Sequence, residues 1–191
     1  TDVDSDTINF SLSGTDASQI SIEANSGVLT FNTAPDYETK SDYSFVVTAS
    51  DGSNSSNQSV SVSVVNLNDN SPSITSSSSF SVSENETSIG RIIAEDADGD
   101  SLSYSISGTD ASSISINSTS GAMTFNVAPD YETKTSYSAS VTVSDGTYSS
   151  DQSISISIIN VKDVAPVFTS SAFFNVDENS TLIGTVSASD V

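Results

Sequence analysis

The strongest constraint on this chain is a repeat of constant period. Ser13-Gly14-Thr15-Asp16-Ala17-Ser18 returns as Ser107-Gly108-Thr109-Asp110-Ala111-Ser112, an offset of 94 residues. Ala34-Pro35-Asp36-Tyr37-Glu38-Thr39-Lys40 returns at Ala128 to Lys134, Ser50-Asp51-Gly52 at Ser144-Asp145-Gly146, and Pro72 at Pro166, with the same offset and no insertion. Glu84-Asn85 and Asp96 recur as Glu178-Asn179 and Asp190. A fixed period of this kind means one structural unit used repeatedly. Residues 1–70 read as a repeat lacking its first two strands. Residues 71–164 read as a complete repeat, and 165–191 as the first strands of a third.

Within a period the apolar residues alternate. Leu102-Tyr104-Ile106, Tyr137-Ala139-Val141-Val143 and Ile154-Ile156-Ile158 occupy every second position, with Ser or Thr between most of them. Period two is the strand signature. Asp51-Gly52 and Asp145-Gly146 separate the last two strands as hairpin signals. Adding Phe80-Val82, Ile92-Ala94, Ile114-Ile116 and Met123-Phe125 gives seven strands in one period. The expected fold class is all-β: tandem seven-stranded Greek-key antiparallel β-sandwiches, immunoglobulin-like. Tyr43 and Tyr137 open the long penultimate strand, as core residues or corner tyrosines. The apolar faces are narrow, so the core of so small a domain is marginal without added stabilisation.

Charge and missing residue types narrow the function. There are 25 acidic residues against four basic ones, Lys40, Arg91, Lys134 and Lys162, a formal net charge of −21. Such a surface repels nucleic-acid backbones and anionic headgroups and attracts cations. The chain has no cysteine and no histidine. Disulfide staples and His-dependent nucleophilic or general-base catalysis are therefore excluded. No run approaches a membrane span, and no signal peptide is visible. An exported protein would carry its signal elsewhere, so the chain reads as a fragment of something longer.

The acids gather at strand ends. The densest run is Asn66-Leu67-Asn68-Asp69-Asn70-Ser71-Pro72, with a degraded copy at Asn160-Val161-Lys162-Asp163-Val164-Ala165-Pro166. Taken singly, such Asx clusters make turns and caps without metal. Calcium needs about six to eight oxygens, which several converging loops can supply and one cannot.

Ser83-Glu84-Asn85, Ala94-Glu95-Asp96-Ala97-Asp98, Asp36-Tyr37-Glu38, Val141-Thr142-Val143-Ser144-Asp145-Gly146 and Asn68-Asp69-Asn70-Ser71-Pro72 resemble, in order and spacing, the signatures of cadherin repeats. The resemblance is to the cadherin-like repeats of large bacterial surface adhesins, and it covers essentially the whole chain. It implies calcium at each repeat junction. At the first junction it implies ligands from Asp36, Glu38, Asn66, Asn68, Asp69 and Asn70, with Asp96, Asp98 and Asp145 from the following repeat. At the second it implies Glu84, Asp130, Glu132, Asn160 and Asp163, with Asp190. Asp2, Asp4 and Asp51 would be half of a further site. Asn66 and Lys162 depart from the family pattern, and Lys162 weakens the second junction.

The expected function is a calcium-binding, calcium-rigidified extender or adhesion module, non-catalytic, secreted or on the cell surface. Its partners would be calcium ions and neighbouring repeats, with no nucleic acid and no membrane insertion. The alternative is a carbohydrate-binding module for polysaccharide, for which Tyr148, just past the Asp145-Gly146 turn, is the sole aromatic hint. Paired carboxylates such as Asp36 and Glu38 could serve a glycosidase, but no cleft or aromatic platform accompanies them. The phase of the repeats also suggests self-association by strand exchange, the tail completing a first repeat in trans.

Overall fold

The computed structural model describes residues 7–190 of the chain, as two compact units, Thr1–Asn70 and Ser71–Val191. Apart from two 3₁₀ turns, at Ala17–Gln19 and Ala111–Ser113, every regular element among the described residues is a strand.

The first unit contains β1 (Asn9–Ser13), β2 (Ile20–Ile22), β3 (Leu29–Phe31), β4 (Asp42–Ser50) and β5 (Ser55–Ser63). One sheet has the order β1-β4-β5; β2 and β3 form a two-stranded ladder. Phe10, Leu12, Phe45 and Val62 alternate with Ser and Asn along these strands, so each strand has one apolar face. Ile20, Tyr43 and Phe45 are buried, with Leu12, Phe31, Val47, Val60, Val62 and Val64 packed half-buried around them.

The second unit is deeper. It contains β6 (Ser73–Ile74), β7 (Ser79–Ser83), β8 (Ser88–Arg91), β9 (Ala94–Glu95), β10 (Ser103–Ser107), β11 (Ile114–Ile116), β12 (Ala122–Phe125), β13 (Ser136–Ser144) and β14 (Ser149–Ile159). Two short strands follow, β15 (Val167–Phe168) and β16 (Ala188–Ser189). The sheets run β10-β13-β14-β7 and β11-β12-β8. One core cluster draws on both, with Val82, Tyr104, Val141, Val143, Ile154, Ile156 and Ile158 meeting Ile89, Ile114, Met123 and Phe125. The connections β10 to β11 and β12 to β13 pass from one sheet to the other, so this is a β-sandwich.

One expectation needs correcting. The ladders are antiparallel except one, because β7 pairs in parallel with β14, Ile156 standing opposite Phe80. The opening strand is also split: β6 pairs antiparallel with β9, then the chain crosses at Ser76-Ser77-Ser78 to join the other sheet as β7.

The two tyrosines are core residues. Tyr43 lies edge-on to Phe31, centroids 4.9 Å apart, and Tyr137 is tilted against Phe125 at 4.8 Å. The Lys40 ammonium lies 4.7 Å from the Tyr43 ring centroid and that of Lys134 lies 4.6 Å from Tyr137. Each lysine also pairs with an aspartate that ties a neighbouring turn to the strand: Lys40 with Asp16, Lys134 with Asp110. Asp16 and Asp110 accept the backbone N–H of Ser44 and Ser138, each at 2.8 Å. Hydrogen bonding to the lysine first, and to the backbone second, holds both carboxyls below the ordinary aspartate value.

Candidate metal centre

Strand register sends the acids of the second unit to two poles. Ser83 pairs with Ile159, so Glu84, the residues after β14 and the turn before β13 share the exit pole. Ser103 pairs with Ser144, so the 96–100 loop and the Asp145-Gly146 hairpin share the entry pole.

At the exit pole Glu84 is 2% exposed. Its Oε2 accepts the Tyr131 N–H at 2.8 Å and its Oε1 the Val161 N–H at 2.6 Å, which fixes the carboxylate rigidly. Asp130 accepts the Glu132 N–H at 3.0 Å and the Thr133 hydroxyl at 2.7 Å. The Thr133 hydroxyl is the main reason its carboxyl lies below the ordinary value. Glu84, Asp130 and Glu132 each offer an oxygen within 4.8 Å of the others. Desolvation, then the negative charges of Glu84 and Asp130, push the Glu132 carboxyl up. Like charges this close favour a bound cation. The Asn160 amide donates to Glu132 Oε1 at 3.1 Å, and Asn160, Lys162, Asp163 and Asp190 line the same cleft. Asp163 also accepts the Asn85 amide at 2.7 Å, and Asn85 holds a left-handed φ of 67°.

At the entry pole, Asp96, Asp98 and Asp100 bring carboxylate oxygens within 4.8 Å of one another. Asp96 Oδ1 accepts the N–H groups of Asp98 and Asp100, at 3.0 and 3.2 Å. Its Oδ2 is buried and has no hydrogen-bond partner. A buried carboxylate oxygen left without a donor is costly unless something positive meets it. Asp145 Oδ1 accepts the Thr147 and Tyr148 N–H groups at 2.6 and 2.7 Å, so this residue shapes its own hairpin.

The first unit repeats both arrangements in part. Asp36 accepts the Glu38 N–H at 3.1 Å and the Thr39 hydroxyl at 2.7 Å, again with a lowered carboxyl, Thr39 being the first cause. Asp36, Glu38, Asp69 and Asn70 line one cleft, where the Asn70 amide donates to Asp69 at 2.9 Å. Asn68 Oδ1 is buried without a hydrogen-bond partner, and Asn66 is exposed. Asp51 accepts the N–H groups of Ser53 and Asn54 at 2.7 and 2.6 Å; those bonds, Asn54 first, lower its carboxyl. Asp2 and Asp4 lie outside the described residues.

Sequence reasoning missed Asp100, whose place as the third member of an alternating Asp-x-Asp-x-Asp run was the available signal. It also missed that Glu84 is held by two backbone donors far away in sequence.

The donor set suits a hard cation. Carboxylate and amide oxygens, with no sulfur or imidazole, are the ligands of calcium rather than of soft transition metals.

Residues 78–162 match the family model described as the cadherin domain. Over 91 residues, 47% of the chain, the sequence is 33% identical to the Fat-like cadherin-related tumor suppressor homolog of Drosophila melanogaster, and spans 2% of that protein's length. Among solved structures, a protocadherin gammaB7 EC3-6 cis-dimer aligns with a TM-score of 0.80 at 26% identity, over 95% of this chain and 50% of that one. Human CDH23 EC21-23 aligns with a TM-score of 0.81 at 18% identity, over 100% of this chain and 76% of that one. Residues 78–162 thus match a cadherin domain, and the fold is that of tandem cadherin-like repeats.

Proposed function

We propose that this chain is a calcium-stiffened, non-catalytic extender and adhesion segment of an extracellular or cell-surface protein. The observation that carries the reading is the exit pole of the second unit. Three carboxylates, Glu84, Asp130 and Glu132, converge there, and among the described residues none of them is in an ion pair. The buried Asp96 Oδ2 supports the same reading at the entry pole.

The proposed ligands are Glu84, Asp130, Glu132, Asn160, Asp163 and Asp190 at that exit pole. Asp96, Asp98, Asp100 and Asp145 serve the entry pole. Asp36, Glu38, Asn66, Asn68, Asp69 and Asn70 serve the first unit. Bound calcium supplies the positive charge that these facing carboxylates lack. The residues do the rest: backbone donors to Glu84 hold one ligand in place, and Asp130 is locked by Thr133. The linker residues after β14 are drawn onto the pole, so a flexible segment becomes a fixed one. Among the described residues no helix is long and apolar enough to cross a membrane.

Extracellular calcium modules bind at roughly 10⁻⁴–10⁻³ M, which gives occupancy outside cells. At about 100 times Kd, binding adds about 2.7 kcal/mol. Thermal unfolding in millimolar calcium and in chelator tests this. The melting temperature should rise with calcium, and one indifferent to calcium sinks the reading.

A further inference from the structure

We infer that the pairing of β7 with β14 is a mechanical clamp: tension along the chain loads it in shear, so the second unit resists extension even without calcium. The use of such a clamp rests on the extender reading; the clamp itself needs no ion.

The path of the chain sets the direction of the load. It enters the second unit at Pro72, whose carbonyl accepts the Ser150 hydroxyl at 2.5 Å near the start of β14. It leaves at Asn160, directly after Ile159, the last residue of β14. Tension therefore draws β7 by its first residue, Ser79, toward the entry pole, and β14 by its last toward the exit pole. The two strands run in the same direction, with Ser79 beside Ser155 and Ser83 beside Ile159. They are pulled past one another along their length. The ladder opens with the Ser155 N–H donating to Ser78 O at 2.9 Å and closes with the Glu84 N–H donating to Ile159 O at 3.0 Å. Evenly spaced bonds between parallel strands share such a load. An antiparallel pair would have both pulled ends at one pole and would open bond by bond.

Side chains prevent a gradual slip. Val82, Ile156 and Ile158 are 5%, 0% and 5% exposed. Sliding β7 by one residue would turn Val82 outward and bring a serine into the core, because side chains alternate between faces. The next register that keeps the apolar face inward lies two residues away, roughly 6.6 Å. The Phe80 ring also lies across Gly90 of β8, 3.1 Å from where a Cβ there would stand, which keys β7 to the opposite sheet. Every existing bond must break before a new one forms, so the clamp holds or fails as one.

β6 is the weaker part. It pairs with β9 only through Ser73 with Glu95 and Ile74 with Ala94, followed by the Thr75 and Ser76 N–H groups on Ile93 O. Gln152 adds one amide bond, 3.4 Å to Ser76 O. β6 should release first, in a short step, and the freed crossing segment then passes the load to β7.

The test is single-molecule pulling of the 191-residue protein in chelator, with handles on introduced cysteines, since the chain has none of its own. In Ser71→Cys with Ala165→Cys the force runs from pole to pole and shears the ladder. In Ser71→Cys with Thr147→Cys both handles sit at the entry pole and unzip it. All three sites are exposed, so denaturant unfolding should be alike in the two proteins. Forced unfolding follows the barrier along the pulled direction and not the equilibrium stability. At one pulling speed the unfolding force should be severalfold higher from pole to pole, preceded by the short β6 step. Val82→Ala in β7 and Val143→Ala in β13 delete the same atoms from buried sites and separate force from stability. Both should lower stability to denaturant, and only Val82→Ala should markedly lower the pole-to-pole force. Equal forces in the two geometries, equal loss of force in the two alanine variants, or a second unit already unfolded in chelator overturns the clamp. Because calcium is absent throughout, failure here leaves the calcium reading standing, and melting indifferent to calcium leaves the clamp standing.

Discussion

The two units spell nearly the same strands and bury them to different depths. Val141 and Val143 are fully buried, while their counterparts Val47 and Ala49 are only half-buried. Met123 is 1% exposed and its counterpart Leu29 is 39% exposed. Residue choice does not explain this, since a leucine is as apolar as a methionine. The number of covering strands does: β12 lies between β11 and β8, whereas β3 has β2 alone among the described residues. Tyr43 and Phe45 stay buried because β4 is central in its sheet. Full burial of one aliphatic side chain stabilises by about 1.5–3 kcal/mol, so each half-open position in the first unit forgoes part of that.

The largest expected effect follows from this contrast. Ile156→Ala removes three carbons from a fully buried site and should cost about 2–5 kcal/mol. Val62→Ala, at the matching position, deletes less from a half-buried site and should cost about 1 kcal/mol. Denaturant unfolding of the two variants measures both. Equal losses would mean that the first unit is as well covered in solution as the second.

How much of this was legible in the sequence depends on the range of the interaction. β4, β10, β13 and β14 are read correctly because alternation is local. Tyr137, Ala139, Val141 and Val143 announce their inward face without help. The split of the first strand into β6 and β7 is not legible. A run of serines carries no periodicity, and the parallel pairing of β7 with β14 joins residues 76 apart. The acids were legible as a set, through the repeat, but their division of labour was not. That Asp145 caps its hairpin, or that Glu84 is pinned by the Tyr131 and Val161 N–H groups, depends on backbone placement.

A second pair of variants isolates the covering strand itself. Gly27 and Gly121 share a left-handed backbone, φ 71° and 70°. Alanine at either costs about 1–2 kcal/mol for that conformation alone. At Gly121 the new Cβ would also lie 2.4 Å from the Ile92 carbonyl oxygen, whereas at Gly27 the nearest atoms belong to the Phe10 ring at 3.3 Å. Overpacking against backbone adds about 1–3 kcal/mol, so Gly121→Ala should lose correspondingly more stability than Gly27→Ala. Matching melting temperatures would show that the segment around Ile92 yields easily.

The units differ also at one ligand position, where Asn68 corresponds to Lys162. Lys162 lines the same cleft as Glu132 and Asp163, and its positive charge opposes a second cation there. Lys162→Asn should tighten calcium binding at the second unit by roughly tenfold or less, about 1 kcal/mol for charges near a protein surface. Calorimetric titration of both proteins reads this. An unchanged affinity would take Lys162 out of the site.

The smallest expected effect is one in which the units should agree. Asp16 and Asp110 each have a carboxyl held below the ordinary aspartate value of 3.8, chiefly by Lys40 and Lys134. A lowered folded value contributes stability that is complete above pH 3.8 and is lost as pH falls through the folded value. Between neutrality and pH 5 neither variant, Asp16→Asn or Asp110→Asn, should change the pH slope. Below pH 3.8 each should flatten it, and by similar amounts. Glu132 has the opposite sign: its raised carboxyl gives stability present below the ordinary 4.5 and lost as pH rises through the folded value. The second unit should therefore soften part of its acid loss. Melting temperature against pH for the wild type and both variants measures this. Unequal flattening in the two variants would mean that the two lysine latches are not equivalent.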